Sequence, residues 1–497
     1  MAIKITMLVV FFGIMIGVGL YCRKNATDVN GFVLGGRNVG PWLTAFAYGT
    51  SYFSAVIFVG YAGQFGWKFG LASTWIGVGN AVIGSLLAWM ILGRRTRVMT
   101  QHLDSKTMPD FFGIRYDSNM LKVISSIIVF IFLIPYTASL YNGLSRLFGM
   151  AFNIDYSVCI LVMAVLTGIY VIAGGYMATA INDFIHGVIM IVGIIAVIAA
   201  VLNSNGGFNQ AYNSLARVTY EATIDMPGVF ASFFGPEPFD LMCVVILTSL
   251  GTWGLPQMVQ KFYAIKNEKS IETGTIVSTV FAVIVAGGCY FLGGFGRLYN
   301  IDVAKEGYDA IIPAMIEKLS PFLIAVVVIL VLSASMSTLS SLVLASSSTL
   351  TLDLIKGTIV KKMDDKKQVL TMRVFIVIFI SISAAIALLQ YKSSVTFIAQ
   401  LMGISWGALA GAFLAPFLYS LYWKGVTKIA VLINFIFGCG TMLANMLVKS
   451  AFPYFLQSQI NCGAFVMLAG FIVVPLVSLI TPKLKKEKVE EVFQCYK

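Results

Sequence analysis

The chain has 497 residues, 58% of them hydrophobic and 11% charged, with a formal net charge of +12. Soluble proteins carry about 25% charged residues, so this composition excludes a soluble globular enzyme. A basic nucleic-acid binder concentrates Lys and Arg on one folded face and lacks repeated apolar runs of about 20 residues, so the charge calls for a topological explanation and no nucleic-acid partner.

Thirteen windows have the length and polarity of a bilayer span. They cover residues 5–22, 41–66, 71–93, 121–148, 156–174, 178–203, 239–258, 272–295, 320–346, 369–390, 394–422, 427–449 and 460–481. The first is too long for the apolar core of a signal peptide, and no small-residue cleavage site follows Cys22-Arg23-Lys24, so it reads as a retained helix. Thirteen crossings put the termini on opposite sides. The connections at 23–37, 94–122, 261–269, 356–373 and 424–428, with the tail 483–497, carry 25 of the 34 Lys and Arg. The excess marks that side as cytoplasmic, so the amino terminus is expected outside and the carboxyl terminus inside a plasma (inner) membrane. The partner this implies is the lipid bilayer.

The windows divide the chain into 1–40 (first helix and loop), 41–203 (five helices), 204–238 (outer connection), 239–422 (five helices), 423–482 (two helices) and 483–497, a charged tail read as a solvated end. Because five is odd, the second block enters from the opposite side, as an inverted repeat would. Seven cysteines form no CxxC or Cys/His cluster and imply neither a disulfide framework nor a metal site.

Both blocks open with a helix that carries breakers at matching depth. One reads Ala47-Tyr48-Gly49-Thr50-Ser51-Tyr52-Phe53-Ser54-Ala55, the other Leu250-Gly251-Thr252-Trp253-Gly254-Leu255-Pro256-Gln257. Interrupted midplane helices expose backbone groups to solute and ion, although Gly and Pro also occur in intact membrane helices. In the ninth window Ala334, Ser337, Thr338 and Ser341 share one helical face. Hydroxyls and unpaired carbonyls would ligate a hard monovalent cation there; the competing reading is close packing and bonding to carbonyls of the same helix.

Asp183 is the clearest ionisable group within a window, either a cation ligand beside Ser340 and Ser341 or an N-terminal helix cap with Asn182. His186 is either a proton acceptor or a packing residue, and Arg146 is expected to snorkel outward. For a solute, Tyr52, Ser54, Thr252 and Trp253 sit at the breaks, and Gln64, Tyr141 and Asn142 join them as candidates. The same residue types at helical spacing also serve packing.

Six stretches in order carry a family resemblance: Phe32-Val-Leu-Gly-Gly-Arg37, Met108-Pro-Asp-Phe-Phe-Gly-Ile-Arg115, Gly174-Gly-Tyr-Met-Ala-Thr-Ala-Ile-Asn-Asp183, Gly254-Leu-Pro-Gln-Met-Val-Gln-Lys-Phe-Tyr-Ala264, Ala334-Ser-Met-Ser-Thr-Leu-Ser341 and Gly411-Ala-Phe-Leu-Ala-Pro-Phe-Leu-Tyr-Ser-Leu-Tyr-Trp423. Over nearly its whole length the chain resembles the sodium/solute symporter family. The resemblance implies an all-α polytopic membrane protein, an amino-acid-transporter-like 5+5 inverted repeat with one extra helix before it and two after. It also implies a main sodium site of the Thr50, Phe53 and Ala334 carbonyls with the Ser337 and Thr338 hydroxyls. A second sodium would lie between Asp183 and Ser337, Ser340 and Ser341. Proline permeases place an acid where Tyr52 stands, and sialic-acid symporters place an arginine in the stretch from Ile127 to Asn142, which has none. Around Thr50 to Gly63 and Asn182-Asp183 the likeness is to pantothenate permeases.

The expected activity is sodium-coupled import of a small organic solute, a pantothenate-like acid, an amino acid or a sugar, by alternating access. Na+ is the coupling ion, with no organic cofactor, no obligatory protein partner and no catalytic residues. Proton coupling through Asp183 or His186 and uncoupled facilitation are the alternatives.

Overall fold

The computed structural model describes residues 2–152, 154–219, 223–356, 359–360, 362–393 and 398–496. Among them the chain is helical, and the only β pairing is two isolated bridges, Val39 with Ile265 and Lys356 with Val360. Among the described residues, ten helices are long and apolar enough to cross a membrane, or eleven if one bent pair is a single span.

In chain order the main elements are α1 (Ala2–Cys22), α2 (Pro41–Tyr52), α3 (Val56–His102), α4 (Asn119–Phe152), α5 (Tyr156–Ser204), α6 (Pro238–Gly254), α7 (Pro256–Ala264), α8 (Lys269–Leu298), α9 (Pro321–Ile355), α10 (Asp365–Gln390), α11 (Ile398–Tyr422), α12 (Lys428–Leu447), α13 (Gln459–Ile480) and α14 (Lys486–Phe493). Their starts follow from local chemistry. At α9 the Ser320 hydroxyl accepts from the Leu323 N–H and Pro321 takes the first position, where its missing N–H costs nothing. Thr427 caps α12 through the Ala430 N–H in the same way.

Continuous helices are fewer than the thirteen windows because 156–174 and 178–203 fall in one helical run, and 71–93 shares α3 with the second part of 41–66. At 1.5 Å per residue the 49 residues of α5 extend roughly 74 Å, far beyond a hydrocarbon core of about 30 Å. The run turns at Gly175 (φ 55°, ψ −148°), where a Cβ would lie 2.8 Å from the Phe32 carbonyl oxygen. The 47 residues of α3 turn likewise at Gly70, φ 63°. Window 41–66 behaves differently: α2 stops at Tyr52 and α3 begins at Val56.

Burial sorts the helices. α11 and α9 have 94% and 83% of their apolar stretch enclosed, against 22% for α1 and 39% for α13, so the first two are interior elements. α5 packs on α1, α9 and α2, while α11 packs on α12 and α13. α3 and α8 cross at backbone contact, since a Cβ on Gly66 would fall 2.0 Å from the Gly293 carbonyl oxygen.

The tail is not a solvated end. α14 docks on the segment between α3 and α4: the Tyr496 hydroxyl donates to the Arg95 carbonyl at 2.8 Å, the His102 ring meets the Glu491 carbonyl at 2.9 Å, and the buried Arg115 guanidinium lies 5.0 Å from the Phe493 ring centre. Two apolar residues, Val492 and Phe493, are buried by this contact, which is the burial that a count of charges alone overlooks.

Candidate functional site

Both expected breaks are present, and they match. α2 ends where Phe53 becomes extended (φ −100°, ψ 123°), and α6 passes into α7 where Leu255 does the same (φ −85°, ψ 121°), with a 47° bend. Gly49, Gly251 and Gly254 weaken the ladder before each break, and Pro256 cannot continue it. The two broken helices are tied together at one end. The Val39 N–H, two residues before α2, donates to the Ala264 carbonyl that closes α7 at 3.2 Å, and the Lys266 N–H returns to the Val39 carbonyl at 2.9 Å. Arg37 holds the same corner, its guanidinium donating to the Ser105 carbonyl at 2.6 Å and the Tyr263 carbonyl at 3.4 Å. Burial pushes the Arg37 pKa down from its ordinary value, while Asp104 opposes that shift.

The face of α9 expected to meet the first break does so. The Thr338 Oγ1 lies 3.4 Å from the Thr50 carbonyl, 3.3 Å from that of Ser51, 3.4 Å from that of Phe53 and 3.1 Å from that of Ala334. The Ser337 hydroxyl donates to Thr50 Oγ1 at 2.7 Å, and the Thr50 hydroxyl donates in turn to the Phe46 carbonyl at 2.7 Å. One hydroxyl proton satisfies one carbonyl, so the others leave an oxygen-rich, uncharged cluster between two interior helices. Self-bonding within the helix also occurs, at Ser335 with the Val331 carbonyl and at Ser340 with the Ser337 carbonyl, both 2.8 Å.

Asp183 is no helix cap. It lies eight residues beyond the Gly175 turn, inside α5 and fully buried, with neither carboxylate oxygen hydrogen-bonded among the described residues. Its charge partner is Lys261, at 3.7 Å. The charge count puts Lys261 in a cytoplasmic loop, but α7 carries it inside, 2% exposed. Its Nζ donates to Ser341 Oγ at 3.0 Å, and Ser341 Oγ is 2.7 Å from Ser51 Oγ. The signal for this was present in the sequence: a lone charged residue five positions after a helix-breaking proline, in a stretch that is otherwise apolar or uncharged.

The solute candidates divide. The Tyr52 hydroxyl donates to the Thr248 carbonyl at 2.9 Å, the Trp253 N–H to the Ile83 carbonyl at 3.0 Å, and Thr252 to the Ser249 carbonyl at 2.8 Å. These gather around Asn80–Gly84, where Tyr48 also donates to the Gly84 carbonyl at 2.8 Å. Ser54 and Tyr141 keep buried hydroxyls with no partner among the described residues, as does the Gln64 amide oxygen. Asn142 is drawn away to Gln390 at 2.9 Å. Three residues that the sequence did not single out, Trp406, Asn80 and Tyr290, join the first group. Trp406 lies between Tyr52, tilted by 31°, and Tyr136, edge-on at 86°, with ring centres 5.9 Å from each, and Asn80 sits beside Tyr290. The Tyr136 hydroxyl faces Ser54 and Trp406. The Trp406 N–H, the Asn80 amide nitrogen and the Tyr136 and Tyr290 hydroxyls are buried without partners among the described residues. Trp75, in contrast, is at the outer surface with its N–H on the Phe233 carbonyl, 3.0 Å.

A model of the Sodium:solute symporter family matches residues 32–438. The chain belongs to that family. It is 28% identical over 496 residues to the osmoregulated proline transporter OpuE of Bacillus subtilis (strain 168), covering 98% of this chain and 96% of that protein. It is 29% identical over 492 residues to the sodium/proline symporter of Staphylococcus aureus (strain JH9), covering 97% and 92%. Among solved structures, a substrate-bound outward-open Na+-coupled sialic acid symporter superposes with a TM-score of 0.76 at 16% identity, over 95% of this chain and 98% of that one. Mhp1, a nucleobase-cation-symport-1 family transporter, superposes with a TM-score of 0.51 at 13% identity, over 93% and 97%. The protein is therefore a multi-span membrane transporter with a transporter fold, and not an enzyme.

Within this family member His186 serves packing: its ring stacks on Phe11 at 5.5 Å and its Nε2 meets the Met15 sulfur at 2.9 Å. Arg146 is half-exposed as expected, yet it also pairs with the buried Asp309 at 3.6 Å.

Proposed function

We propose that the protein is a sodium-coupled symporter that imports a small organic solute bearing a carboxylate. The observation that carries this reading is the Thr338 hydroxyl set among three carbonyls at the end of α2 and the Ala334 carbonyl of α9. Thr50, Phe53 and Ala334 would offer carbonyls to the ion, and Ser337 and Thr338 hydroxyls. Neutral oxygens suit a monovalent cation, because they replace its water without adding a charge that must be balanced when the ion leaves. The membrane would be crossed thirteen times as a 5+5 inverted repeat with one helix before and two after, amino terminus outside and carboxyl terminus in the cytoplasm.

Sodium would bridge α2 and α9, which belong to different repeats, and so favour the arrangement in which those helices are together. Solute bound against α2 would gain from the same arrangement, and the coupling is reciprocal by linkage. Each inward charge is driven by about 2.3 kcal/mol per 100 mV of membrane potential.

For the solute, Tyr52, Ser54, Thr252 and Trp253 at the breaks are the proposed contacts, with Gln64 and Tyr141 as further candidates and Asn142 one that would first have to leave Gln390. Trp406, Tyr136, Asn80 and Tyr290 extend them. These last four present N–H and O–H groups and no acid, which suits a carboxylate or hydroxyl-bearing solute. Two relatives are named as proline transporters, so proline is the first solute to test against pantothenate-like acids and sugars.

The test is thermal unfolding of the purified protein in sodium, potassium and choline chloride at equal ionic strength, with and without that panel. A sodium-specific rise, lost in Ser337→Ala and enlarged by one solute, supports the reading by mass action. Equal stability in all three salts refutes it.

A further inference from the structure

We propose that Lys261 is a tethered cation filling the second cation site, so that the transporter carries one sodium ion per cycle. The inference rests on the sodium-coupled reading above. Four observations support it. The Lys261 side chain is 3% exposed and that of Asp183 fully buried. The ammonium lies 3.0 Å from Ser341 Oγ, 3.7 Å from Asp183 Oδ2 and 5.2 Å from the centre of the Tyr176 ring, so hydroxyl, carboxylate and aromatic face surround it. The hydroxyl protons of the other two serines are committed elsewhere, Ser340 to the Ser337 carbonyl and Ser337, which lies beside Asp183, to Thr50 Oγ1. The Asp183 oxygens accept no hydrogen bond among the described residues, so the ammonium is the group that offsets their charge.

Charge balance then sets the ion count. Asp183 contributes one negative charge and Lys261 one positive charge. A sodium ion placed on Asp183 and Ser341 would sit beside the ammonium in a poorly polarisable interior, where like charges repel strongly. Lysine is a compact point charge with three donors on a flexible stem, and, unlike an ion, it stays in place on either side of the cycle. Three elements meet through it: α5 by Asp183, α7 by Lys261 itself and α9 by Ser341. That junction is consequently held whether or not sodium is present, and the neutral cluster at Thr338 is left as the one that responds to sodium.

The experiment counts ions directly. Radioactive sodium is titrated onto the purified full-length protein in lipid nanodiscs, without solute, and bound ions per chain are measured with the slope of the isotherm. Wild type binds one ion with a Hill coefficient of 1. Lys261→Met binds two, and Lys261→Met with Asp183→Asn returns to one. Two ions on wild type overturn the proposal, as does a single ion on folded Lys261→Met. If that variant does not give monodisperse protein, the wild-type count and Lys261→Gln decide by the same criteria. One wild-type ion, abolished by Ser337→Ala yet unchanged in number by any Lys261 substitution, retains the sodium-coupled reading and overturns this one. No bound sodium on wild type overturns both.

Discussion

Two oxygen clusters lie one helical turn apart on α9, and they solve opposite problems. The one at Thr338 gathers four carbonyls and has no charged group. The one at Ser341 holds a carboxylate and an ammonium, both buried. A cluster without its own counter-charge responds to a cation from solution, and therefore to the concentration of that cation. A cluster with a built-in counter-charge is insensitive to it and works as a fastener. On the proposed reading, the same run of serine and threonine would yield a sensor in one turn and a structural junction in the next, according to what the neighbouring helices bring.

The largest effect expected from breaking this contrast is at Asp183. Asp183→Asn leaves the Lys261 ammonium buried and unpaired, a loss of about 3–5 kcal/mol. It should appear as a large drop in the unfolding temperature, and Asp183→Asn with Lys261→Met should recover most of it. Equal damage in the single and double variants would show that the pair is not the junction described.

Next in size is the neutral cluster. Thr338→Ala removes the hydroxyl shared by four carbonyls, about 1–3 kcal/mol. Sodium affinity, read from the sodium-dependent thermal shift, should fall about 10- to 100-fold by the usual conversion of free energy to affinity. The unfolding temperature in choline should fall less than in Asp183→Asn, because no buried charge is left unpaired.

A smaller effect tests whether the solute contacts are separate from both clusters. Trp406→Phe keeps the ring between Tyr52 and Tyr136 and removes one donor, so solute half-saturation should rise about fivefold to tenfold, as for a lost neutral hydrogen bond. Sodium binding without solute should be untouched; a parallel loss of sodium affinity would merge the solute contacts and the ion cluster into one site.

The smallest concerns another buried carboxylate, Asp309, outside the membrane spans. Burial raises the Asp309 pKa above the ordinary carboxylate value, and Arg146 partly counters it. The folded state then holds a proton that the unfolded state has lost, so stability falls as pH rises from the ordinary carboxylate range through the raised value. Asp309→Asn should flatten that slope in thermal scans across pH. The half-exposed Arg146 offsets less charge than the enclosed Lys261 does, and the modest slope measures that difference.

Much of this was legible in the sequence. Phe53 and Leu255 sit within stretches whose Gly and Pro content announces a break, and both breaks occur. The spacing of Ala334, Ser337, Thr338 and Ser341 puts them on one face, and that face meets α2. Lys261 was not legible through charge counting, because a rule that assigns each lysine to a loop has no means of seeing one turned inward. Trp406 and Asn80 were missed for a related reason: each is a single polar group in a long apolar run, and only the neighbouring helices show whether its polar atom is used.

Apolar run length, breaker residues and the Lys and Arg distribution are local properties, and they are enough to declare a many-helix membrane transporter with two interrupted helices. What faces what is not local. The pairing of Asp183 with Lys261 joins residues 78 positions apart, and that of Thr338 with Thr50 joins residues 288 apart. Periodicity tells which side of a helix a residue occupies, but burial, charge balance and ligand geometry depend on the partner across the interface, and that partner is chosen only when the helices pack.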